Sequence, residues 1–124
     1  MAKVLVCDHE YSFRSSLRKS LESDGFSVHD ISRASEALKY VLKEKFDAIV
    51  FNLQPDNMIS TLIFSAIRTI DKELPVIVIT DSDESLSSVS SIIHETFRYF
   101  RKPVGYREIK EAINETIILK LNSE

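Results

Sequence analysis

Three runs of uninterrupted apolar residues set the frame of this chain: Val4 to Cys7, Ala48 to Phe51 and Val76 to Ile79. Short apolar runs bounded by polar or turn residues read as strands buried on both faces, as at the centre of a parallel sheet. Each run stops at a polar residue: Asp8, Asn52 and Thr80 respectively. Two further segments, Ser27 to Ile31 and Phe97 to Lys102, alternate apolar and polar positions and read as edge strands. Pro103 ends the second of them.

Between the strands the period becomes helical. Phe13, Leu17 and Leu21 mark one face, and Gly25 follows as a C′ residue in the left-handed conformation. Ala37, Leu38, Val41 and Leu42 mark a second helix, with Ser32 or Ser35 as its cap. Its end at Lys43-Glu44-Lys45 reads as solvated, with cations placed to suit the helix dipole. Asn57 can cap a third, with Met58, Leu62, Ile63, Ala66, Ile67 and Ile70 facing in. Leu86, Val89, Ile92 and Ile93 predict a helix within 81–95. Serine fills much of its other face, so packing rather than propensity must hold it. The last helix runs from about Tyr106 to Leu121, with Ile109, Ala112, Ile113, Thr116, Ile117 and Leu121 facing in.

The pattern is a strand and a helix, repeated five times over. Strict alternation predicts an α/β fold, a parallel sheet with helices on both faces. Right-handed crossovers, central buried runs and alternating edges lead to the order 2-1-3-4-5 of a flavodoxin-like (βα)5 three-layer sandwich. In such a sheet Asp8, Asn52, Thr80 and Lys102 gather at the carboxyl-terminal edge, where open α/β sheets place their sites. Lys102 is then expected to reach Asp8, Asn52 or both.

Composition narrows the classes of function. A length of 124 residues suits one domain spanning 1–124. A net charge of −3 offers no basic footprint for nucleic acid. No apolar run approaches the ~20 residues that cross a bilayer, so no membrane association is expected. Met1-Ala2-Lys3 leads straight into a strand without a secretory signal. The single cysteine, Cys7, excludes an internal disulfide and suits a reducing compartment. A cytoplasmic location is expected. Cys7 reads as a small core residue, and His29 and His94 as surface residues.

Lys3-Val4-Leu5-Val6-Cys7-Asp8, the strand ending at Asn52, the run Val76-Ile77-Val78-Ile79-Thr80, and Tyr99-Phe100-Arg101-Lys102-Pro103 together resemble a CheY-like response-regulator receiver domain. The similarity runs from Lys3 to about Leu121, and four strand-end signals in order make it specific. The resemblance implies two-component (phosphorelay) signal transduction. In that family two adjacent acids after the first strand help bind Mg²⁺. An Asp at the end of the third strand accepts a phosphoryl group, a Thr or Ser and a Lys contact it, and an aromatic takes part in a switch. Asp8 matches the first acid, Thr80 the hydroxyl, Lys102 the lysine and Tyr99 the aromatic. His9 stands in place of the second acid, and Asn52 in place of the phosphoacceptor. Pro55 comes one residue early with no glycine after it, and Glu95 and its neighbours replace a small, glycine-containing turn.

An aspartyl phosphate needs a carboxylate nucleophile, and an uncharged amide is a poor one. Mg²⁺ takes hard oxygen ligands, usually with one or two carboxylates, so its binding is expected to be lost or weak. Asp8 and Glu10 are its remaining weak candidates. His9 favours a transition metal only with more ligands than the sequence offers. Plainer roles stand beside these. Asp8 can cap a helix or pair with Lys102, Asn52 can be a structural hydrogen-bonding residue, and Thr80 and Tyr99 can be ordinary strand residues.

The leading expectation is a pseudo-receiver lacking the phosphoacceptor Asp, not an enzyme, which acts through protein–protein interaction. One alternative is a phosphoacceptor that uses another acid, Asp8 or Asp56. Another is a flavodoxin-like cofactor binder. It lacks a Gly-rich or Ser/Thr-rich phosphate loop, and Asp8-His9-Glu10 would repel a phosphate. Ile118 and Leu119 lie outside the inward stripe of the last helix. A helix apolar on more than one side suggests a contact beyond its own core. The receiver resemblance implies association through the helix within 81–95, the fifth strand with Tyr99 and the last helix, so a homodimer or protein-partner surface is expected there. If Asn52 and His9 are the only barriers, the Asn52→Asp, His9→Asp double variant should regain Mg²⁺ and phosphate.

Overall fold

The computed structural model describes residues 2–54, 57–81 and 96–123. Strands β1 (Lys3–Cys7), β2 (Ser27–Ile31), β3 (Ala48–Asn52), β4 (Val76–Thr80) and β5 (Arg98–Arg101) form one sheet. Helices α1 (Tyr11–Ser23), α2 (Ala34–Lys43) and α3 (Met58–Ile70) and a C-terminal helix (Tyr106–Ser123) pack on it. The helix read within 81–95 lies outside the described residues, apart from Asp81. All strand pairs are parallel, in the order β2-β1-β3-β4-β5 that the apolar pattern predicts. Every residue of β3 and β4 is buried, as unbroken apolar runs require.

Side chains on one strand alternate between the two faces of the sheet. Leu5, Cys7, Ile49, Phe51 and Val78 enter a core with Ala37 of α2 and Phe64 and Ile67 of α3. Val4, Val6, Ala48, Val50, Ile77 and Ile79 enter the other, with Leu17 and Leu21 of α1 and Ile109, Ala112 and Ile113 of the C-terminal helix. This is the three-layer sandwich. Gly25 takes φ 91° just past α1, where its amide donates to the carbonyl of Glu22 at 3.0 Å. Asn57 caps α3, its side chain accepting from the amides of Ile59 and Ser60. Asp30 ties β2 to α1 through Arg14 at 2.9 Å and through Arg18.

Several finer expectations are corrected. The inward stripe of α3 is Ser60, Phe64 and Ile67, whereas Met58, Leu62 and Ile70 are exposed. Apolar residues occupy so much of this helix that two stripes compete in the sequence. A small polar residue lies on the buried one because the Ser60 hydroxyl accepts the amide of Gln54 at 3.1 Å. Leu42 and Leu121, near the ends of their helices, are also exposed. Neither Ser32 nor Ser35 caps α2. Arg33 holds the N-cap position, with no side-chain hydrogen bond. The last strand, Arg98–Arg101, is shorter than the alternating segment that predicts it, with Phe97 and Lys102 each bonding to β4 from just outside it.

Phe64 is 1% exposed and Leu62 60%. The Phe64→Ala variant is therefore expected to lose about 3–5 kcal/mol in urea unfolding. Leu62→Ala should change stability by no more than about 0.5 kcal/mol. Equal losses would restore the stripe read from periodicity.

Candidate functional site

Parallel strands bring their last residues to a common edge, and the loops leaving that edge carry the charged groups. Asp8 follows β1 and is 2% exposed. Its Oδ1 accepts the amide of Glu10 at 2.8 Å, which starts the turn into α1, and Arg14 donates to its carbonyl oxygen at 2.8 Å. Asn52 ends β3 and is 6% exposed. Its Nδ2 donates to Oδ2 of Asp81 at 3.5 Å. Thr80 ends β4, fully buried, and its carbonyl accepts the Lys102 amide at 2.8 Å. That bond places Lys102 beside the ends of the central strands.

The ammonium of Lys102 is the centre of the cluster. It lies 3.1 Å from Asp8 Oδ2, 2.8 Å from Glu10 Oε1 and 3.2 Å from Asp81 Oδ1, and 4.3 Å from the centre of the Phe13 ring. Burial works against its charge, but the hydrogen bonds it donates to Glu10 and Asp8, with the charges of Asp8 and Asp81, outweigh burial and raise its pKa. His9 stands at the rim. Its Nε2 is 3.8 Å from Asp81, its Nδ1 is 3.9 Å from Asp8, and its Nδ1 is 3.3 Å from Gln54 Nε2. A cleft of about 250 Å³ opens beside it, lined by Cys7, Asp8, His9, Asn52, Gln54 and Asn57 among others. Burial, then the charge of Asp8, pushes the Cys7 thiol up to about 12, so it remains a neutral core group.

The residues read from the strand ends are thus brought together, with one change. Lys102 reaches Asp8 as expected, while Asn52 turns to Asp81. Glu10 points into the cluster, which its position after β1 did not settle. Asp81 was missed, although it follows a polar strand end just as His9 follows Asp8. Among the described residues no group of three or more His, Cys, Asp or Glu side chains is placed to hold a metal ion. Asp56 lies outside the described residues. Tyr99 is half-buried and packs on the core shared with Phe64. Ile118 and Leu119 are each 56% exposed. Leu119 lies with Lys45, Phe46, Pro75 and Phe97 around a cleft of about 700 Å³, at the amino-terminal edge of the sheet rather than at the charged cluster.

The family model of the response regulator receiver domain matches residues 4–114. The chain belongs to this receiver family. Sporulation initiation phosphotransferase F of Bacillus subtilis is 26% identical over 120 residues, which cover 97% of each chain. The transcriptional regulatory protein GlrR of Escherichia coli is 26% identical over 94% of this chain. That match spans only 26% of GlrR, so the receiver corresponds to about a quarter of that relative. A receiver-domain protein from Methanospirillum hungatei shares the fold with a TM-score of 0.88 at 22% identity, over 100% of this chain and 99% of its own. A receiver domain from Clostridium thermocellum gives 0.87 at 25% identity, over 100% of both.

Removing the Lys102 charge leaves the buried Asp8 carboxylate without its counter-ion. The Lys102→Met variant is expected to lose about 2–3 kcal/mol in urea unfolding at pH 7. A cation whose native pKa is raised contributes stability at all pH below its unfolded value of about 10.4, and loses it as pH climbs through the native value. The gap between wild type and variant should therefore close in strong alkali. A gap independent of pH would mean that Lys102 acts by packing alone.

Proposed function

We propose that this receiver is not phosphorylated at the usual position and signals by binding a protein partner. The carrying observation is Asn52, a buried amide at the end of the central strand, in hydrogen bond with a carboxylate. An amide oxygen lacks the charge to attack phosphorus and to form an acyl phosphate. The donor set also fits Mg²⁺ poorly. The carboxylates of the cluster, Asp8, Glu10 and Asp81, all face the Lys102 ammonium, and His9 is an imidazole where hard oxygen is wanted. Asp8 makes a poor substitute acceptor, since it is buried and held by Lys102 and the Glu10 amide. Asp56 is the remaining acid of the alternative reading. Receiver domains are generally non-enzymatic signalling domains, and an interaction role needs no catalytic group. Within the described residues no helix is long and apolar enough to cross a membrane. A cytoplasmic protein partner suits this reading.

Incubating the wild-type chain with acetyl phosphate and Mg²⁺, followed by intact-mass and peptide mass spectrometry, tests it. No phosphoryl adduct is expected, nor saturable Mg²⁺ binding at millimolar concentration. An adduct mapped to Asp8 or Asp56 would establish the alternative acceptor.

We assign the partner surface to the C-terminal helix and the neighbouring β5, on the ground that Ile118, Leu119 and Leu121 of that helix stand exposed. Clustered apolar residues on a solvent face mark contact surfaces. Charging them with Ile118→Glu and Leu119→Glu is expected to abolish self-association or partner capture in sedimentation and pull-down measurements, with the fold retained. If those variants bind as wild type does while Leu62→Glu on α3 does not, the contact lies on the exposed row of α3 instead.

A further inference from the structure

Asp81 supplies an acid that the pattern of strand ends does not reveal. Its carboxylate meets a donor or a cation on each contact that the cluster offers: Lys102 Nζ at 3.2 Å, Asn52 Nδ2 at 3.5 Å and His9 Nε2 at 3.8 Å. One carboxylate therefore bridges the ends of β3 and β5. Asn52 serves it because an amide can donate, and a carboxylate in the same place cannot. The charge count points the same way. Asp8, Glu10 and Asp81 already surround one ammonium. A further acid at residue 52, which is 6% exposed, would lie against Asp81 with no cation of its own.

We propose that Asn52 and Asp81 are a matched pair. The acid of this site stands one residue beyond the fourth strand, and its presence there excludes an acid from residue 52. Asp81 is then a specificity-determining residue, a third barrier to phosphoryl acceptance besides Asn52 and His9. The two-substitution route back to activity that the sequence suggests would add two carboxylates to the three already around Lys102. Its consequence for phosphorylation rests on the function proposed above, whereas the pairing itself does not.

A double-mutant cycle tests the pair without any phosphodonor. Thermal unfolding is measured for wild type, Asn52→Asp, Asp81→Asn and the double variant between pH 3 and pH 8, roughly the span over which carboxyls charge. Asn52→Asp alone is expected to lower Tm at pH 7 by roughly 5 °C or more, since a like-charge pair has been created in a partly buried site. The acid placed at 52 faces Asp81 after β4, Asp8, His9 and Glu10 after β1, and Lys102 after β5. Its native pKa should stand above the unfolded value, so the loss is present at neutral pH and fades as pH falls through about 4. In the Asp81→Asn background the same substitution should cost little or raise Tm, because the donor and acceptor have exchanged places. If Asn52→Asp fails to fold at pH 7, the double variant must still fold. An equal Tm change in both backgrounds, a loss independent of pH, or an unfolded double variant overturns the pairing. Each of these outcomes leaves the phosphodonor result on the wild-type chain to stand or fall separately.

Discussion

The arrangement of this domain's charged edge depends on one ammonium. Lys102 is 13% exposed at its side chain, and a charge that far from water must be paired. Three acids from two loops pair it: Asp8 and Glu10 on either side of His9, and Asp81 beyond β4. Its backbone is held by the carbonyl of Thr80, and its charge sits over the ring of Phe13 on α1. The contact therefore ties β5, β4 and the start of α1 into one unit. One positive charge supplied by the chain itself thus stands among three acids.

Most of the sandwich was legible in the sequence because burial on two faces leaves an unmistakable mark. The runs at Val4, Ala48 and Val76 contain no polar residue to permit an edge position, and their order then follows from crossover handedness. The helices were legible in place and less so in rotation. On α3, Met58, Leu62 and Ile70 form as good a stripe as Phe64 and Ile67, and only the sheet decides between them. The ends misled for a related reason. Leu42 and Leu121 continue the period of their helices beyond the point where the sheet still lies beneath them.

The site was legible to the extent that its members end strands. Asp8, Asn52 and Thr80 follow from that rule, and Lys102 from the edge strand it closes together with the receiver resemblance. Glu10 and Asp81 were not legible, since the direction of a loop side chain depends on a backbone turn that residue types do not specify. For Glu10 the turn is made by the Asp8 carboxylate accepting the Glu10 amide. For Asp81 it is the exit from β4 beside Thr80, where Lys102 stands just past the neighbouring strand.

An amide at residue 52 is then more than a missing acid. A strand end buried at 6% exposure restricts what can stand there to a group whose partners are already present. With Asp81 as the nearest partner, the group must donate. With Lys102 committed to three carboxylates, it must also be uncharged. Asparagine meets both conditions at the size of the aspartate that the receiver family places there. The substitution thus preserves the shape of the edge while reversing the sense of one hydrogen bond. On the proposed pairing, an amide at residue 52 lets the receiver fold keep the hydrogen bond between the ends of β3 and β4.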